Sequence, residues 1–156
     1  MKILGIDPGT GRLGWAVLNF EKSQYGLEAV GCFETKANTE LSIRLEKIYD
    51  FLGDLIKKHQ PDKMSVESLF FSTNAKTAID VAAARGVVLL VGRQAGLEIS
   101  QYTPLQVKSS LTGFGKAEKH QVQYMVSKIL KLKEVIKPDD AADAVALALT
   151  HSFHAR

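Results

Sequence analysis

The sequence predicts an α/β domain: a mixed five-stranded sheet flanked by helices, in a single unit over residues 1–156. Three observations lead there. Three strand-like apolar runs open the chain, apolar residues at helical spacing follow, and strands then alternate with helices. Such an order puts parallel strands beside an antiparallel meander and covers the sheet with helices. Residues 2–6 read as a short buried strand, and 13–20 and 27–35 as two more separated by turn residues. From Leu41 the apolar positions are 41, 45, 48, 52 and 55, one face of a helix that Pro61 stops, with Thr39 as its candidate N-cap. Met64 and Val66 alternate with Ser65 and Glu67 as in a strand. An Ala-rich helix is expected over 74–95, at some cost from Gly86, and a fifth strand over 98–102. Thr103-Pro104 is a cap and first-turn pair, and 118–130 and 139–153 read as helices, the last capped by Asp139.

Composition excludes several classes. With 46% hydrophobic and 24% charged residues, the chain is neither disordered nor fibrous. A lone cysteine, Cys32, forms no internal disulfide, and the opening MKILGIDPGT lacks the basic-then-apolar run of a secretory signal, so a cytoplasmic address is expected. The longest apolar run, GVVLLVG at 86–92, is far short of the roughly 20 residues that cross a bilayer. Net charge is only +3, but it is unevenly spread. Residues 101–137 carry seven lysines against Glu118 and Glu134, a basic stretch suited either to solvating helices or to a polyanion.

Gly9-Thr10-Gly11-Arg12-Leu13-Gly14 matches the G-x-G-x-x-G dinucleotide fingerprint, with Glu34 twenty residues past Gly14. That fingerprint requires a helix next, its N-terminus facing the pyrophosphate, whereas Trp15 to Phe20 has strand character. The glycines are therefore expected to shape a tight β-turn.

Four carboxylates stand out. Asp7 ends an apolar strand, where a charge needs a partner unless it is merely the turn residue before Pro8. Glu67 ends the second apolar strand in the same way, unless it simply faces solvent. Asp140 and Asp143, at i and i+3, share a face at the start of the last helix, and acids also favour helix N-termini for electrostatic reasons. Asp143 is the sole charge between Ala141 and Thr150, in a stretch expected to be buried. If the two strands are neighbours and the helix crosses their ends, the four groups repel one another unless cations intervene. Oxygen-only donors favour Mg²⁺ or Mn²⁺ over Zn²⁺, and two such ions about 3.5–4 Å apart suit phosphodiester hydrolysis. The expectation is a metal-dependent nuclease. Neither a G-x-S-x-G elbow nor a P-loop is present.

The segments GIDPGTGRLGWAV, VESLFFSTNA, ARG at 84–86, GKAEKHQVQYMV and DDAADAVALALTH resemble the RuvC family of Holliday-junction resolvases almost end to end. The resemblance implies a ribonuclease-H-like fold, a homodimer, and paired symmetric nicks in four-way DNA junctions during recombination and repair. It also implies that Asp7, Glu67, Asp140 and Asp143 are the catalytic acids holding Mg²⁺, two per site, with Mn²⁺ as a possible substitute. By the same resemblance Phe70 contacts bases at the crossover; an aromatic face stacking on an unpaired base contributes about 1–3 kcal/mol. Phe71 competes for that role, since adjacent residues of an extended segment face opposite ways. Lys108 and Lys119 match family lysines near the DNA backbone, with Lys76, Lys116 and Arg85 as further candidates; Arg85 could equally pair with an acid or serve the subunit contact. Small residues at 82, 83, 84, 86 and 92 fit the family's helical dimer interface, or equally a helix packed on a sheet. Junction-binding and branch-migration helicase subunits are expected partners. His151 and His154 are expected at the surface, with His151 able to approach the metals if the helix persists.

Other functions are open to discrimination. A ribonuclease-H-like enzyme acting on RNA or hybrids would prefer linear hybrid substrates. A non-catalytic junction-binding module would have no use for acids that weaken its hold on phosphates. An actin-like ATPase shares the opening turn but requires a second lobe, for which 156 residues leave no room.

Overall fold

The computed structural model describes residues 1–68 and 75–155. Strands β1 (Lys2–Asp7), β2 (Arg12–Glu21) and β3 (Gln24–Glu34) form the antiparallel meander. Helix α1 (Leu41–His59) leads to β4 (Lys63–Glu67), and α2 (Ala75–Gln94) to β5 (Glu98–Tyr102); α3 (Pro104–Thr112), α4 (Lys119–Ile129) and α5 (Asp139–His154) follow. The sheet order is β3-β2-β1-β4-β5, with β4 parallel to both β1 and β5. Among the described residues no helix is long and apolar enough to cross a membrane.

Strand alternation sorts side chains between two cores. Leu4, Ile6, Met64 and Val66 join the core beneath α1 and α2. Ile3 points to the opposite face, with α3, α4 and α5. Ser65 lies on that same face, its hydroxyl donating to the Leu147 carbonyl at 2.8 Å. By the same period Asp7 and Glu67 emerge on the α5 side, at the ends of adjacent parallel strands.

Two glycines let α5 settle onto the sheet. A Cβ on Gly5 would lie 2.0 Å from the Ala144 carbonyl oxygen, and one on Gly14 would lie 1.9 Å from that of Asp140. Gly14 sits opposite Asp7 in the β1–β2 ladder, so the missing side chain brings the N-terminus of α5 beside Asp7.

The helix boundaries follow local chemistry. Thr103 caps α3 by accepting from the Gln106 N–H at 3.2 Å, while its own N–H donates to the Gln106 carboxamide oxygen at 2.8 Å. Two expected caps are corrected. The first helical bond of α1 runs from the Arg44 N–H to the Glu40 carbonyl at 3.1 Å, so Glu40 is the boundary residue and Thr39 stands outside. Helix α5 has Pro138 at its boundary, and Asp139 is already its first residue, free to reach toward α4. The glycine-rich turn behaves as expected: a Cβ on Gly9 would meet the Arg12 carbonyl oxygen at 2.2 Å, and the following residues continue as β2. Glu34 faces Arg12 across the β2–β3 ladder and ion-pairs with it at 3.3 Å, and a strand rather than the helix that a dinucleotide fingerprint requires follows the turn.

Candidate active site

Asp7 and Glu67 stand side by side at the open end of β1 and β4, and the first two turns of α5 bring Asp140 and Asp143 within electrostatic reach of Asp7. Asp7 is half-buried, and its carboxyl is pushed up to about 9. Burial is the largest cause, followed by the charges of Glu67, Asp143 and Asp140 and a hydrogen bond with Glu67. Glu67 is also raised, by burial first, although its hydrogen bond with Asp7 and the ammonium of Lys119 pull the other way. Asp143 is raised by burial against the opposing pull of Lys119.

Two cations flank the acids. The Lys119 Nζ lies 3.1 Å from Asp143 and 3.2 Å from Asp139. On the other side Arg12 reaches Asp140 at 3.9 Å while held by Glu34. Sequence reasoning passed over Arg12, because its only visible signal was a cation inside a glycine-rich turn. Arg85 forms no ion pair with a described acid; its Nε donates to the Glu67 backbone carbonyl at 3.1 Å and so steadies the end of β4. Behind the loop that follows Asp7, the Thr35 hydroxyl donates to the Thr10 carbonyl and accepts from the Arg44 Nε at 2.7 Å.

The remaining predicted residues divide. Lys108 joins Lys119, Glu67 and Asp143 around one cavity. Lys76, in the first turn of α2, and Lys116, between α3 and α4, are exposed, and neither forms an ion pair with a described residue. Phe70 and Phe71 lie outside the described residues. His151 corrects the expectation of a surface residue. It is 3% exposed and shares a 2.9 Å hydrogen bond with the Tyr102 hydroxyl. Helix α5 does persist, but eight residues of rise carry His151 about 12 Å along the helix from Asp143, into the core and away from the acids. His154 is exposed, as expected, and stacks on the Tyr102 ring at 5.4 Å.

The donor set fits hard divalent ions. Among the described residues no three acidic or imidazole groups already meet as a closed metal cage. Instead Asp7 holds its proton well above the ordinary carboxylate range, while Asp143 and Asp140 lean on Lys119 and Arg12. That is the signature of an anionic cluster whose charge is incompletely balanced by the chain itself.

A pH dependence follows. Folded Asp7 keeps its proton to about pH 9, whereas an unperturbed aspartate loses it near 3.8. Between those values the folded state binds more protons than the unfolded, so stability without divalent ions falls as pH rises. Asp7→Asn removes the share of that slope that Asp7 contributes, leaving the smaller shares of Glu67 and Asp143. Melting curves in chelator should show the variant more stable than wild type at pH 8, with the gap narrowing toward pH 5; an equal gap at both pH values would contradict this.

A mixed sheet in the order 3-2-1-4-5, with an acid on each of two adjacent strand ends and two more on a helix laid across them, defines a ribonuclease-H-like nuclease. The family model for crossover junction endodeoxyribonuclease RuvC matches residues 3–151. The chain is 49% identical over 152 residues to the crossover junction endodeoxyribonuclease RuvC of Desulforamulus reducens, covering 97% of this chain and 93% of that protein. Its fold is similar to the Thermus thermophilus RuvC structure, with a TM-score of 0.93 at 36% identity, covering 100% of this chain and 96% of that one. The T. thermophilus RuvC in complex with Holliday junction substrate gives 0.91 at 34% identity, with the same coverage. The chain belongs to the RuvC family of crossover junction endodeoxyribonucleases.

Proposed function

We propose that the protein resolves four-way DNA junctions by hydrolysing phosphodiesters at the Asp7, Glu67, Asp140 and Asp143 cluster. The convergence of these carboxyls at the ends of the adjacent strands β1 and β4 and the start of α5, beside the basic α3–α4 region, carries the reading. Asp7, Glu67, Asp140 and Asp143 would hold Mg²⁺, two ions per site, with Mn²⁺ as a substitute. When bound, the metal supplies Lewis acidity and the positive charge that a scissile phosphate needs. The chain's own residues do the rest. Asp7 and Glu67 are fixed by the sheet, so their oxygens move little when they lose protons. Lys119 neutralises Asp143 and, at 50% exposure, can turn to a phosphate oxygen. Lys108 lies across the same cavity, and Lys76 and Lys116 extend the positive surface available to the DNA arms. Phe70, three residues past Glu67, is the proposed base contact.

The test is nicking of a synthetic four-way junction with and without Mg²⁺, against a linear RNA–DNA hybrid of the same sequence. Divalent-dependent, paired nicks in the junction alone support the reading. Cleavage of the hybrid in preference would assign the protein to another ribonuclease-H-like activity.

The working unit is proposed to be a homodimer joined along α2, with junction-binding and branch-migration helicase subunits as further partners and the cytoplasm as its compartment. One acid cluster makes one cut, and a two-fold dimer matches a junction that requires two. The small residues of α2 split by face. Ala84 is buried, and a Cβ on Gly92 would meet the Met64 sulfur at 2.8 Å, so these serve the sheet. Ile79 and Leu90 are 67% and 51% exposed and share a helical stripe with Ala82 and Gly86, whose missing Cβ would point into open space. Leu90→Glu should convert the dimer to a monomer in light scattering and uncouple the two nicks. A variant that stays dimeric would place the interface elsewhere.

A further inference from the structure

Helix α5 crosses the sheet diagonally and meets a different strand at successive points along its length. Gly14 of β2 lies against Asp140, Gly5 of β1 against Ala144 and Ala148, and Ser65 of β4 donates to the Leu147 carbonyl. At β5 the Tyr102 hydroxyl shares a 2.9 Å hydrogen bond with His151 Nδ1, and both residues are at most 9% exposed. The Tyr102 ring is itself held in place, because it stacks on His154, whose Nε2 shares a 3.1 Å hydrogen bond with Ser110 of α3. The same tyrosine reaches the acid site through its backbone. It is the last residue of β5, it stands opposite Glu67 in the β4–β5 ladder, and its carbonyl accepts the Ser68 N–H at 2.8 Å. Because β5 is an edge strand, only β4 holds it within the sheet.

We propose that Tyr102 and His151 are positioning residues: their buried hydrogen bond sets the angle of α5 on the sheet, and with it the spacing of Asp140 and Asp143 from Asp7 and Glu67. The assignment rests on the nuclease reading above and adds to it two residues of the core. The four acids come from two bodies, a pair of strand ends and a helix, and this bond joins those bodies. On one body it starts from the residue opposite Glu67, and on the other it ends about two turns beyond Asp143. Leverage makes it matter. Asp143, Leu147 and His151 follow one another at intervals of four residues, about 6 Å of rise each. With Leu147 held by Ser65, and Ala144 and Ala148 seated on Gly5, the middle of the helix is the fulcrum. A close-packed helix moves as a rod, so a shift of about 1 Å at His151 carries Asp143 by about as much in the opposite sense. A misplacement of about 1 Å at reacting groups can cost roughly 100-fold in rate.

The experiment begins with Tyr102→Phe in the full-length protein, which deletes one oxygen and keeps the ring and its stack. Single-turnover nicking of a four-way junction at saturating Mg²⁺ should slow roughly 100-fold, with junction affinity in chelator unchanged. Mn²⁺ binding to the DNA-free protein, read by electron paramagnetic resonance, should weaken roughly tenfold, as for other groups that orient metal ligands from behind. His151→Leu should reproduce both losses, and the double variant should be no slower than either single one, because the same bond is missing in all three. His151→Asn, whose carboxamide places a polar atom where Nδ1 stands, should recover part of both. A merely structural role gives another pattern: the folded fraction falls, lowering the amplitude of nicking and the melting temperature, while the rate constant and Mn²⁺ affinity of the folded protein stay at wild-type values. That pattern, losses that multiply in the double variant, or an asparagine no better than leucine would overturn the proposal. If His151→Leu does not fold, Tyr102→Phe and His151→Asn decide the matter. If the wild type binds Mn²⁺ and nicks junctions and Tyr102→Phe matches it, the positioning role alone is refuted; if the wild type does neither, the nuclease reading fails first.

Discussion

Glu67→Gln and Asp143→Asn should each reduce junction nicking by roughly 1,000-fold or more while the junction stays bound, a loss of about 4 kcal/mol in transition-state stabilisation. Both changes keep the shape of the side chain and remove a negative donor from a cluster already short of positive charge. Binding should persist, because losing an acid lowers repulsion toward the phosphates. The two variants also differ in a checkable way. Asp143→Asn frees Lys119 from a 3.1 Å partner, leaving its ammonium to Asp139 and the DNA. The salt dependence of its junction affinity should therefore steepen relative to that of Glu67→Gln. Rates come from single-turnover nicking and affinities from gel shifts in chelator. A folded variant that cuts at the wild-type rate, or one that loses binding while cutting normally once bound, would remove that acid from the catalytic set.

Gly14→Ala should be the most damaging change that alters no functional group. The added Cβ would lie 1.9 Å from the Asp140 carbonyl oxygen and 2.3 Å from its carbonyl carbon. These are backbone atoms at the start of α5, so no side chain can rotate away, and either the helix lifts or the sheet bends. Overpacking against rigid atoms costs about 3 kcal/mol, or roughly 6–12 °C in Tm for a chain of this size. Because the clash sits at Asp140 itself, the protein that does fold should also nick slowly. Gly53→Ala is the control. Gly53 lies within α1, and its Cβ would point into open space, so alanine there should add up to about 1 kcal/mol of stability. Thermal unfolding of both variants settles the matter; equal melting temperatures would show that α5 is not clamped to the sheet as described.

Much of the architecture was legible because it is local. A period of two identified the strands, and a period near 3.6 identified α1, whose apolar positions 48, 52 and 55 are buried in the structure. The acids at strand ends were legible for a related reason, since a charge closing an apolar run is conspicuous wherever the run is placed. Cap positions were harder. Thr39 has the right chemistry, but which carbonyl closes the first turn depends on how the chain enters the helix, and it closes on Glu40.

The residues themselves determined that there would be five strands, an amphipathic α1, a carboxyl at the end of each of two strands, and a nearly all-apolar closing helix interrupted by Asp143. Tertiary structure alone decided that Arg12 would meet Asp140, that Lys119 would bridge Asp139 and Asp143, and that His151 would turn inward to Tyr102. Those partners are separated along the chain by between 20 and 128 positions. Their meeting depends on the height and angle at which α5 rests on Gly5 and Gly14. Periodicity fixes which face a side chain takes, whereas close packing between distant segments fixes what that face touches.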